Sequence, residues 1–166
     1  IERYYNGELL SLDSIDFPDS LKYETAQGKV VYGGGGIMPD IFVPLDTSNV
    51  SNYYSNLNYQ GIFYQFGFDY VDKHREVLLQ KYSKSDFIKA FEIDEKLMKS
   101  FYQFASAKDV EYDLKGAELS LELIKNRIKA TIGRNLFGGS IFFEIINQED
   151  NVVQKAKEIL GTKKSS

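Results

Sequence analysis

Leu114-Lys115-Gly116-Ala117-Glu118-Leu119-Ser120-Leu121-Glu122-Leu123-Ile124-Lys125-Asn126-Arg127-Ile128 is the stretch on which the fold turns. Leu114, Ala117, Leu121, Ile124 and Ile128 recur at alternating spacings of three and four, which lines them up along one helix face. No proline occurs from Val50 onward, and the same kind of periodicity appears on both sides of this stretch.

Upstream, Asp94 reads as a helix N-cap, with Ile93 and Met98 set as a hydrophobic staple across it. Leu97, Met98, Phe101, Phe104 and Ala105 then form one apolar stripe. Residues Tyr53 to Tyr82 carry apolar side chains nearly all round over Ile62, Phe63, Phe66, Phe68 and Val71, the pattern of a buried central helix. Gly61 and Gly67 within it predict a bend or the close approach of another helix. Downstream, Gly138-Gly139 interrupts the pattern before Ile141 to Ile146. A last amphipathic helix uses Val152, Val153, Ala156, Ile159 and Leu160 and ends at Gly161. The expectation is a bundle of about five helices by periodicity.

Residues 1 to about 47 read differently. They hold all three prolines, Pro18, Pro39 and Pro44, and alternate short extended segments with turns. Leu21 to Thr25 and Lys29 to Tyr32 predict a hairpin whose turn takes its positive φ from Gly28. Ile41-Phe42-Val43-Pro44 reads as a further strand, ended by the proline. The fold class predicted is therefore α+β and predominantly α, with a β/turn segment over 1–47 and a helical domain over 48–166. Asp46-Thr47-Ser48-Asn49, a cluster of turn and capping residues, marks the boundary.

Composition narrows the function classes. The 166 residues include twelve Tyr and twelve Phe but no Trp, so ring packing should fill much of the core. A net charge of −4 argues against a nucleic-acid partner, since phosphate binding draws on clustered Lys and Arg. The absence of Cys excludes thiol nucleophiles, zinc–thiolate sites and disulfides. The most apolar runs, Ile62 to Val71 and Ile141 to Ile146, are too short to cross a bilayer. The chain opens at Ile1 rather than Met, which reads as a piece of a longer protein.

Between the hairpin and the third extended segment lies Gly33-Gly34-Gly35-Gly36-Ile37-Met38-Pro39-Asp40. Four consecutive glycines are entropically expensive and are kept where the backbone needs conformations closed to other residues. A dinucleotide fingerprint fails here, because its last glycine position falls on Met38 or Pro39 and a strand follows instead of a helix. The run is taken as structural, through Gly33, Gly34, Gly35, Gly36, Pro39 and Asp40. Residues 28 to 44, Gly-Lys-Val-Val-Tyr-Gly-Gly-Gly-Gly-Ile-Met-Pro-Asp-Ile-Phe-Val-Pro, resemble the stretch that closes the peptidase domain of carboxyl-terminal processing (tail-specific) serine proteases. Lys29 stands where that family often has Arg, which keeps the charge.

The resemblance implies that this chain is the portion downstream of the catalytic Ser and Lys, non-catalytic by itself. It also implies a periplasmic or cell-envelope parent with a PDZ-type module upstream, acting on protein or peptide substrates near their carboxyl termini. The partners implied are the remainder of the parent peptidase and its substrates, with self-association into a homo-oligomer open and with no nucleic acid and no membrane span. No catalytic, cofactor or metal-ligating residue is assigned. Ser11, Ser14, Ser20 and Lys22 lie close in sequence but on a polar loop, without the apolar setting that lowers a lysine pKa. His74, the single histidine, has Asp72 and Glu76 two residues away on either side, and such neighbours do not share a helix face. Asp13, Asp16 and Asp19 recur every three residues, whereas calcium loops space ligands by two around a glycine. The rival expectation is a free-standing helical module that binds a peptide or partner helix through its aromatics.

Overall fold

The computed structural model describes residues 7, 11, 20, 22–26, 28, 30–33 and 41–162. The chain divides into two compact units, Ile1–Asp46 and Thr47–Ser166.

Among its described residues, the first unit carries an antiparallel pair, β1 (Lys22–Glu24) and β2 (Val30–Tyr32), in which Tyr23 faces Val31. Gly28 sits in the connecting turn at φ 77°, as the hairpin reading requires. The segment from Phe42 to Val43 is irregular, which corrects the expected third strand. A strand exists only by pairing, and the sheet among the described residues has two members.

The second unit is helical: α1 (Asn52–Tyr59), α2 (Ile62–Lys81), α3 (Lys84–Ala90), α4 (Glu95–Ser106), α5 (Leu114–Leu119), α6 (Leu121–Phe137), α7 (Gly139–Ile146) and α8 (Asn151–Thr162). The chain is thus α+β and predominantly α, with eight helices among the described residues instead of about five. Short breaks produce the difference. Gly61, in the left-handed region at φ 67°, separates α1 from α2. Ser120 divides the 114–128 stripe into α5 and α6, and Gly138, at φ 95°, separates α6 from α7. α8 runs through Gly161 to Thr162.

α6 is the central helix and packs mainly on α2 and α7. Gly67 makes the first of these contacts possible: a Cβ there would lie 2.7 Å from Thr131 Cγ2. Ring packing fills the core as the composition predicts. Phe63 stacks on Phe101 at 5.2 Å between centroids, Phe66 meets Phe101 edge-on at 5.2 Å, and Phe87 stacks on Phe91 at 4.4 Å. Phe68 departs from the all-round burial expected of α2 and is 62% exposed.

Candidate functional site

An open, mainly apolar concavity runs along α4, and the local sequence explains its shape. Asp94 caps the helix, its Oδ1 accepting the Leu97 N–H at 2.8 Å. Ile93 and Met98 are both buried on either side of the cap, as a staple requires. Leu97, Phe101 and Ala105 point into the core. The adjacent stripe, Glu95, Met98, Lys99, Tyr102 and Ser106, is left as one wall of a groove. Tyr112 and the first turns of α6, Leu121 and Lys125, line the rest. The volume is about 910 Å³ and the lining is mainly apolar, with charges of both signs at the rim. Lys125 is held by Glu122 at 2.9 Å, an i, i+3 pair at the surface.

Three phenols cluster here: Tyr102 and the exposed Tyr112 line the groove, and Tyr53 is buried behind them. Tyr102 and Tyr112 are 4.9 Å apart between ring centroids, and Tyr53 on α1 lies 6.0 Å from Tyr112 in an edge-on arrangement. Burial, then the neighbouring Tyr112 phenol, pushes the Tyr102 pKa up to about 12. Tyr53 is raised further by burial, then by Tyr102, Tyr112 and Asp113. Its hydroxyl is buried and meets no hydrogen-bond partner among the described residues.

A buried serine network ties α1 to the start of α6. Ser120 Oγ accepts the Ser51 N–H at 2.9 Å, donates to the Asn49 carbonyl at 2.7 Å and lies 2.8 Å from Ser51 Oγ. Ser51 Oγ in turn caps α1 by accepting the Tyr54 N–H at 3.0 Å. Neither serine was singled out by the sequence pattern, where Ser120 sits inside an unbroken apolar period. One turn further along the same face of α6 as Lys125, Lys129 Nζ donates to the Ile88 carbonyl at 2.7 Å. Burial lowers the Lys129 pKa, and nearby Glu92 acts in the opposite direction.

Of the residues weighed from sequence, Gly33 lies in a bend after β2, while Gly34, Gly35, Gly36, Pro39 and Asp40 fall outside the described residues. Ser14, Asp13, Asp16 and Asp19 fall outside them as well. Ser20 is exposed, and so is Lys22 on β1. His74 is exposed on α2, stacked on Tyr70 at 4.4 Å, with Nδ1 2.8 Å from the Tyr70 carbonyl oxygen. Among the described residues no group of three or more His, Asp or Glu is placed to hold a metal ion. No helix among them is long and apolar enough to cross a membrane.

Chemically, the groove offers apolar surface, phenol hydroxyls and rim charges of both signs. That is the makeup of a binding site, in which area supplies affinity and a few polar groups supply orientation. Neither the curated proteins nor the solved structures yield a match to this chain. Residues 53–138 do match a family, and they contain both walls of the groove and the three phenols, while α7, apart from its preceding turn, and α8 lie beyond them. With about half of its length matched, the chain belongs to the family of unknown function DUF8443.

Proposed function

We propose that this chain is the non-catalytic carboxyl-terminal portion of a serine peptidase of the tail-processing kind, and that its helical unit serves the parent by holding an amphipathic protein helix in the α4–α6 groove. The parentage rests on the resemblance of residues 28–44. The docking role rests on the groove, the single observation that carries it. Its wall follows α4 from Glu95 to Ser106, a length of about 17 Å at 1.5 Å per residue, which matches three turns of a bound helix. Laying the apolar face of such a helix into an apolar groove is a recurring mode of peptide recognition. In the parent, this docking assembles the protease or governs the entry of protein substrates, in the periplasm or cell envelope. The two-stranded hairpin fits the same parentage, since an isolated hairpin is marginal in water and gains by joining a larger sheet.

Fluorescence anisotropy of a dye-labelled amphipathic Leu/Ala/Lys helix, titrated with the dilute chain, tests the docking role. Saturable binding that is lost in the Ser106→Arg variant is expected. Binding that ignores Ser106→Arg, or no binding, rejects it. The parentage is tested separately in the gene product upstream of Ile1. A Ser and a Lys about two dozen residues apart, able to act as nucleophile and base, are expected there. A signal peptide ending at Ile1 contradicts the parentage.

A further inference from the structure

α8 is amphipathic, and the middle of its apolar stripe is open to solvent, while Val153 and Ile159 at the stripe's two edges are half-buried. Val152, Ala156 and Leu160 recur every four residues on one face, and Val152 is 49% and Leu160 65% exposed. No residue of α8 belongs to the apolar core or to the partly buried shell packed against it. The helix is nevertheless firmly directed. Asp150 Oδ1 accepts the Val153 N–H at 2.9 Å, and Gln154 Nε2 donates to the carbonyls of Asn147 and Gln148 at 2.8 and 2.9 Å. These bonds close the turn after α7 and set the direction in which α8 leaves it. Its own chain's groove is not reached, for no α8 residue lines it.

The chain therefore presents an open apolar row on α8, Val152, Ala156 and Leu160, and a concave apolar groove that no helix of its own fills. The two lie near each other: Gln148 and Glu149, at the root of α8, line a smaller cavity with Ile93 and Lys125, which also line the groove. We propose that the groove is filled by α8 of a second copy of this chain, reciprocally, in a two-fold dimer. This rests on the docking role argued above and names its occupant. Reciprocity is what a two-fold axis demands, because each copy gives one helix and receives one. The area is sufficient. A twelve-residue helix is about 18 Å long and about 12 Å across with side chains, so burying half its girth and the facing groove removes about 700 Å². Two such contacts give about 1,400 Å², within the range of stable specific interfaces.

Light scattering on the full chain across micromolar concentrations, with cysteine cross-linking, tests this. The chain has no cysteine of its own, so a mixture of Ser106→Cys and Ala156→Cys chains forms a groove-to-α8 disulfide only between two copies. Expected are a mass twice the 19.0 kDa of one chain, loss of that dimer in both Leu160→Glu and Ser106→Arg, and a cross-linked species in the mixture. A dimer that Leu160→Glu abolishes but Ser106→Arg leaves intact means that α8 pairs elsewhere, and overturns the proposal. A chain that stays monomeric while the Leu/Ala/Lys helix still enters the groove overturns the second copy as occupant and leaves the docking role standing. A monomer whose groove binds nothing removes both.

Discussion

Ser120 carries more of the architecture than its size implies, because one hydroxyl serves the Ser51 N–H and the Asn49 carbonyl at the point where α5 gives way to α6. Ser120→Ala leaves the buried Ser51 N–H unsatisfied and removes the bond to the part-buried Asn49 carbonyl, and should destabilise the fold by about 1–3 kcal/mol in urea titrations. A loss under about 0.5 kcal/mol would show that the network relaxes around the missing oxygen. Tyr53 should behave in the opposite way. Its hydroxyl is already buried without a partner, so Tyr53→Phe removes a desolvated polar group and should be neutral or stabilise by up to about 1 kcal/mol. A clear destabilisation in the same titration would mean that this hydroxyl is satisfied after all. Tyr102 makes stability pH-dependent. Its pKa in the folded chain is about 12, above the ordinary 10.0 of the unfolded chain. Below pH 10 both states are protonated; above it the unfolded chain releases the proton first, so stability falls as pH rises toward 12. Tyr102→Phe should flatten that fall, measured by denaturation at stepped alkaline pH, and an unchanged slope would assign it to other groups.

At the scale of elements, Gly67 illustrates how much was legible in the sequence. Glycine inside an apolar helical pattern predicts a close approach or a bend, and both occur in this chain, the approach at Gly67 against Thr131 and the bend at Gly61. Gly67→Ala should cost about 1–3 kcal/mol, as overpacking a tight helix crossing does, read from the shift in melting temperature. An unshifted melt would mean that α2 and α6 separate without strain. The Asp94 cap, the staple across it and the hairpin turn at Gly28 were readable because each is local, set by residues within a few positions. What was not readable depends on contacts distant in sequence. Ser120 breaks an intact apolar period because it bonds to residues about 70 positions upstream. Phe68 stays exposed because the helices around α2 cover only part of its circumference. The segment around Phe42 has strand-forming residues but no ladder, since pairing is not a property of one segment. The groove was invisible for the same reason: Met98, Tyr112 and Leu121 look like ordinary core and loop residues until α4 and α6 are set beside each other.

For the whole molecule, the helical unit with its ring-packed core should be the stable part, and the hairpin unit should exchange its amides sooner, because a short pair of strands buries little apolar surface. Equal protection of Val30–Val31 and Ile124–Ile128 would contradict that ordering. A non-catalytic chain should also leave a serine-directed fluorophosphonate unreacted, and stoichiometric labelling of one serine would place a nucleophile in it. Most direct is amide exchange on the Leu160→Glu chain, with and without saturating amphipathic Leu/Ala/Lys helix. Slowed exchange is expected at Met98–Ser106, Tyr112 and the first turn of α6, with α3 and the hairpin unchanged. Slowing elsewhere, with those groove segments unaltered, would contradict the claim that the groove is where this chain takes hold of another protein.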